Sequence, residues 1–163
     1  MTSKLDKLAT GLVILLISVT SIAYATDRDE MEAQIISLVH EGDYSTALET
    51  VDSMIEEYPE YAVAYHIRGT IHMELGEYAL SIEDFSRAIE LDPEMDNAYY
   101  SRAVTYYYSD QIESALEDFN RAIELNPDES DYFAERGAIL FILGYDDESM
   151  QDVNTAIELD NES

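Results

Sequence analysis

The chain of 163 residues contains no cysteine, so disulfides, thiol nucleophiles and cysteine-based metal sites are excluded. Histidine is scarce. His40, His66 and His72 show no His-x-x-x-His or comparable ligand spacing, so the sequence offers no zinc or acid–base site. Positive charge is scarcer still relative to its opposite: eight Lys and Arg stand against 36 Asp and Glu, for a net charge of −28. Both lysines, Lys4 and Lys7, lie at the very start. Beyond Ala25 the only cations are six arginines. Nucleic-acid binding needs basic patches and is excluded. The acidity has two readings, solubility in a saline medium or attraction of a cationic or basic partner. Glycine and proline are few, and Gly42, Gly76 and Gly144 stand singly, so there is no phosphate-cradling loop. The spacing of a calcium loop is met nowhere. Neither a cofactor nor a metal is expected, and the chain is not expected to be an enzyme. After Thr26 no apolar run is long enough to cross a membrane.

The first residues differ from the rest. Lys4 and Lys7 precede the apolar run Leu12-Val13-Ile14-Leu15-Leu16-Ile17-Ser18-Val19, and Ala23-Tyr24-Ala25 offers a small-x-small cleavage site. That order predicts a secretory signal peptide over residues 1–25. An uncleaved membrane anchor over residues 8–25 is the alternative, at the short end of a bilayer span. Either way the remainder is expected to be exported: periplasmic, extracellular or membrane-anchored facing outside.

What is abundant is repetition. Pro59, Pro93, Pro127 and Asn161 stand 34 residues apart, as do Glu56, Glu90, Glu124 and Glu158. Ser86-Arg87-Ala88-Ile89-Glu90-Leu91-Asp92-Pro93 recurs as Asn120-Arg121-Ala122-Ile123-Glu124-Leu125-Asn126-Pro127. A 34-residue period signals helix-turn-helix units that stack on their neighbours to bury a face. The expected units are 28–61, 62–95, 96–129 and 130–163. Each carries a first helix A of about twelve residues, a turn at Gly42, Gly76, Asp110 or Gly144, and a second helix B. Asp92-Pro93 and Asn126-Pro127 are read as the end of one helix and the capped start of the next. In helix B the core stripe reads Ala47, Val51, Met54; Ser81, Phe85, Ala88; Ala115, Phe119, Ala122; Ser149, Val153, Ala156, at the spacing of one helical face. His72 takes a place filled elsewhere by Leu38, Tyr106 and Leu140 and is read as core.

Arg68, Arg102 and Arg136 occupy the seventh position of their copies, and Asp84, Asp118 and Asp152 the twenty-third. In the first copy both change together, to Gln34 and Thr50. This co-variation predicts a structural Arg–Asp pair within each hairpin.

Tyr65, Gly69, Gly76, Tyr78, Ser81, Phe85, Ala88 and Pro93 in the second copy resemble the tetratricopeptide repeat (TPR) family. So do Tyr99, Ala103, Ala115, Phe119, Ala122 and Pro127 in the third. The fourth keeps Phe133, Gly137, Gly144 and Ala156 but has Asn161 in place of Pro, and the first copy is the most degenerate. The resemblance implies an all-α fold: an αα superhelix, or TPR solenoid, of about four repeats and eight helices. It also implies a concave face lined by helix A that holds a peptide or protein. On that face the resemblance places His66, Thr70, Met73, Asn97, Tyr100, Val104, Tyr107 and Phe141. A terminal carboxylate clamp would need Lys, Arg and Asn there, and only Asn97 is present.

The expected function is therefore a non-enzymatic adaptor outside the cytoplasmic membrane, holding a protein or peptide, with a basic one among the possibilities, in an apolar, aromatic, acid-rimmed groove. Tyr106-Tyr107-Tyr108 supplies three rings, with Tyr106 expected inside and Tyr107 pointing elsewhere. The alternative is a structural subunit. Phe141 and Ile142 then await a packing partner, and the last repeat self-associates unless Asp146, Asp147, Glu148, Gln151 and Asp152 make it polar enough alone.

Overall fold

A computed structural model describes residues 27–162. The expected leader, residues 1–25, lies outside the described residues. The chain divides into two compact units, one ending at Glu57 and one running from Tyr58.

The first unit contributes a helical hairpin. Helix α1 covers 27–41 among the described residues, and α2 runs Tyr44–Glu57. Ile35, Ala47, Val51 and Met54 are fully buried. Asp43 opens α2 by accepting from the Thr46 amide and hydroxyl, at 3.2 and 2.7 Å. Those bonds hold its carboxyl below the usual range.

The second unit holds three hairpins: α3 (Ala62–Glu74) with α4 (Tyr78–Leu91), α5 (Asp96–Tyr108) with α6 (Ile112–Leu125), and α7 (Ser130–Ile142) with α8 (Asp146–Glu162). Each helix packs chiefly on its hairpin partner, and α4 and α6 pack next on α5 and α7. Small residues make this possible. Gly69 lies so near the Phe85 ring that a Cβ would stand 2.9 Å from it. Ala103 and Gly137 repeat the small side chain one and two periods on. Phe85, Phe119, Ala88, Ala115 and Ala122 are fully buried, and Ala156 nearly so. Val153 departs from the core reading, being 39% exposed. Nothing among the described residues follows α8 to cover it.

All four hairpin turns close alike. After α3 the Gly76 amide donates to Met73 O and the Glu77 amide to His72 O, at 2.9 and 2.8 Å. This Schellman arrangement requires a left-handed residue. Gly42, Gly76 and Gly144 supply it, whereas Asp110 adopts φ 62° despite its side chain. Asp110→Gly should therefore stabilise the chain by about 0.5–1 kcal/mol, the relieved strain exceeding the added freedom of the unfolded chain. A urea titration reads this, and an unchanged or lowered midpoint would refute it.

The inter-repeat turns differ from expectation. Asp92 and Asn126 do not cap the following helix. Asp92 accepts from the Glu94 amide at 3.1 Å, and Met95 N donates to Asp92 O at 3.2 Å. Pro93 thus sits second in a β-turn, where its fixed φ is favoured. The true N-cap positions, Tyr61, Met95 and Glu129, have no side-chain cap bond. Asn126 instead turns its amide to Asp96, at 2.9 Å.

Candidate protein-interaction surfaces

The three Arg–Asp positions are brought together by the hairpins. Arg68 reaches Asp84 at 2.6 and 2.9 Å, Arg102 reaches Asp118 at 2.6 and 2.9 Å, and Arg136 reaches Asp152 at 2.7 and 2.8 Å. All three are forked contacts to nearly buried carboxylates. Each arginine after the first also extends to the preceding hairpin. Arg102 donates to Ser86 Oγ at 2.9 Å, and Arg136 to Asn120 Oδ1 at 2.6 Å. His72 is not an apolar filler. Its side chain binds Glu77 at 2.7 Å and approaches Asp84 at 3.8 Å, joining the Arg68 pair. Every described arginine has a carboxylate within salt-bridge distance.

On the helix A face the expected groove residues are less free than their pattern suggested. His66 contacts Ser101 Oγ at 3.1 Å and tilts against the Phe85 ring. Burial holds its imidazole below the usual range, hence neutral at pH 7. Tyr100 stacks on Tyr132 with centroids 4.8 Å apart and meets Phe119 in a T-shaped contact at 5.9 Å. Burial, with Glu135, Asp131 and Glu129 nearby, pushes its phenol up to about 12. Tyr132 in turn donates to Asp96 at 2.7 Å. Burial raises the Asp96 carboxyl, but the Asn126 and Tyr132 bonds outweigh it and the net shift is downward. This Asn126–Asp96–Tyr132 knot had no signature in the period, because Tyr132 replaces Ala64 and Ala98 at its repeat position.

Thr70, Met73, Val104 and Tyr107 are half-buried, Asn97 is exposed, and Phe141 is 68% exposed. Both Tyr106 and Tyr107 pack on the Phe119 cluster. Tyr108 is the outward ring of the three, stacked on Tyr78 at 6.1 Å. The face from α3 to α7 is thus aromatic and bordered by ion pairs, with half-open side chains.

The most open apolar surface lies elsewhere. Ala134, Gly137, Ala138 and Phe141 of α7, with Met150 and Val153 of α8, line a depression of about 520 Å³. Ile157 continues it one turn on, 53% exposed. In the two preceding hairpins the same positions read Ile82, Phe85, Ile89 and Leu116, Phe119, Ile123. There the phenylalanines are fully buried and the others half-buried. Retained apolar residues at all three positions of the last copy were a sequence signal that the polar residues around them obscured. Among the described residues no group of His, Cys, Asp or Glu side chains could hold a metal ion, and no helix is long and apolar enough to cross a membrane.

Residues 97–129 match the family model for the tetratricopeptide repeat, and residues 69–109 match a second TPR repeat model. Similar solved structures include MamA from Desulfovibrio magneticus RS-1, 20% identical over 83% of this chain and 77% of that one, with a TM-score of 0.74. Another crystal structure of MamA is 21% identical over 83% and 79%, at 0.76. The first TPR of Spaghetti (RPAP3), bound to the HSP90 peptide SRMEEVD, is 20% identical over 72% of this chain and 93% of that one, at 0.68. At these identities the likeness concerns the fold. No curated protein sequence matches the chain.

Proposed function

This chain is a tetratricopeptide-repeat protein, and from that premise we propose that it is a non-enzymatic assembly subunit that self-associates through the open face of α7 and α8. One observation carries the reading. Where the inner repeats bury Phe85 and Phe119 fully and Ile82, Ile89, Leu116 and Ile123 by about half, the last repeat keeps Met150, Val153 and Ile157 61%, 39% and 53% exposed. A repeat face that stays in water ordinarily presents polar residues there. The acidic side chains expected to do this, Asp146, Asp147 and Glu148, occupy the first turn of α8 instead. Covering such side chains stabilises association by roughly 1.5–3 kcal/mol each at full burial.

The helix A face supports a second reading as a peptide-binding groove. Thr70, Met73, Val104 and Tyr107 keep half-open surfaces in line, and a similar fold holds a peptide in Spaghetti (RPAP3). With each described arginine already beside a carboxylate, a groove ligand of this chain would be apolar with a basic character. The work would be done outside the cytoplasmic membrane, a reading supported by Lys4, Lys7 and the apolar run before Ala25.

Paired substitutions separate the two surfaces. Met150→Glu with Ile157→Glu should abolish self-association, measured by light scattering, while Asn97→Ala with Tyr107→Ala leaves it intact. The opposite pattern would transfer the function to the groove.

A further inference from the structure

We propose that the open face of α7 and α8 receives helix 27–41 of a second copy, so that the 34-residue register runs on from one chain into the next. The inference rests on the assembly reading above and names the element that fills the face.

Contacts between successive hairpins show what such a face receives. Ser81 Oγ meets Thr105 Oγ1 at 3.3 Å, and His66 meets Ser101 at 3.1 Å. Ser86 accepts from Arg102 at 2.9 Å, and Tyr78 stacks on Tyr108. Moving the first residue of each pair two periods forward gives Ser149, Ala134, Asn154 and Asp146. Moving the second two periods back gives Ser37, Ala33, Gln34 and His40.

The resulting pairs match in chemistry at all four positions. Ser149 meets Ser37, hydroxyl to hydroxyl. Ala134 meets Ala33, methyl to methyl. Asn154 meets Gln34, amide to amide. Asp146 meets His40, carboxylate to imidazole. Ala33, Gln34, Ser37 and His40 are all exposed on α1, and Ala134, Asp146 and Asn154 are exposed on the receiving side. Ser149 is buried and already donates its hydroxyl to Gly137 O at 2.8 Å, so Ser37 supplies the proton of the pair by turning from Glu41, to which it donates at 3.1 Å on an exposed face. Gln34 also explains the missing arginine of the first copy. Its usual aspartate is Thr50, so no guanidinium is needed within the hairpin, and an amide suffices to reach Asn154.

This contact joins unlike surfaces, so it does not close at two chains and extends with concentration. In that antiparallel packing Glu41 of one copy, next to His40, comes near Asp146, Asp147 and Glu148 of the next, and Asp27, Asp29 and Glu30 come toward the Glu158 and Asp160 end of α8. Association should therefore strengthen with salt, as screening shortens to about 3 Å at 1 M.

The absence of cysteine makes the test direct, because introduced thiols have no background. Ser37→Cys and Ser149→Cys chains, mixed and mildly oxidised in about 1 M NaCl, should give the mixed disulfide as the dominant product, and neither alone should link to itself. Gln34→Cys and Asn154→Cys, both at exposed positions, joined by a short bis-maleimide, repeat the test without a buried substitution. A Ser149→Cys pair that links to itself would overturn the head-to-tail contact in favour of a twofold one. An oligomer that gives no mixed product with either pair would overturn the inference while leaving the assembly reading intact. A chain that stays monomeric at both salt extremes would sink both.

Discussion

Phe119→Ala should cost the fold about 3–5 kcal/mol, the range for a large buried aromatic truncated in a packed core. The ring is fully buried, sits in a cluster with Ala103, Ala115 and Ile139, and meets Tyr100 in a T-shaped contact. It therefore ties α6 to both α5 and α7, so its loss loosens two hairpins at once. In a chain of this length the midpoint of thermal unfolding should fall on the order of 10 °C. Val153 occupies the same repeat position one period on, and there the expectation reverses. At 39% exposed, Val153→Ala should cost less than about 1 kcal/mol. Urea titrations of both variants compare them directly, and similar losses at the two positions would refute the view that the last repeat is uncovered.

Arg102→Ala should be of the same size, about 3–5 kcal/mol, for an electrostatic reason. Asp118 is 7% exposed and held by two guanidinium bonds at 2.6 and 2.9 Å. Truncation strands that carboxylate and also cuts the bond to Ser86 that links neighbouring hairpins. The loss should reflect the stranded charge more than any net worth of the pair. Replacing both partners, as Arg102→Met with Asp118→Leu, should thus be far milder than Arg102→Ala alone. Arg102→Lys should recover only part, because an ammonium cannot fork to both carboxylate oxygens. A melting temperature unmoved by Arg102→Ala would mean that the pair is screened by solvent.

The hairpins were legible because the period repeats their chemistry. Gly69 and Phe85 share a face wherever a 34-residue unit folds back at a turn glycine, and Arg102 and Asp118 signal their contact by changing together in the first copy, to Gln34 and Thr50. What the period cannot carry is coverage, because that depends on the neighbour and not on the unit. Val153 reads like Phe85 and Phe119 along its own helix, and only the lack of a following helix among the described residues leaves it bare. Tyr100 shows the opposite effect. Its position reads as open groove, yet Tyr132 from the next hairpin closes over it. Asp92-Pro93 was misread for a local reason: the same dipeptide suits a helix start and the second place of a β-turn, and the spacing before α5 selects the turn.

Sedimentation equilibrium of the full chain over a range of concentrations decides whether the open face of α7 and α8 is a surface for assembly. The mass should rise with concentration, rise further in about 1 M NaCl, and return to one chain in the Met150→Glu, Ile157→Glu variant. A single-chain mass for the unsubstituted protein at every concentration and salt would contradict assembly through that face.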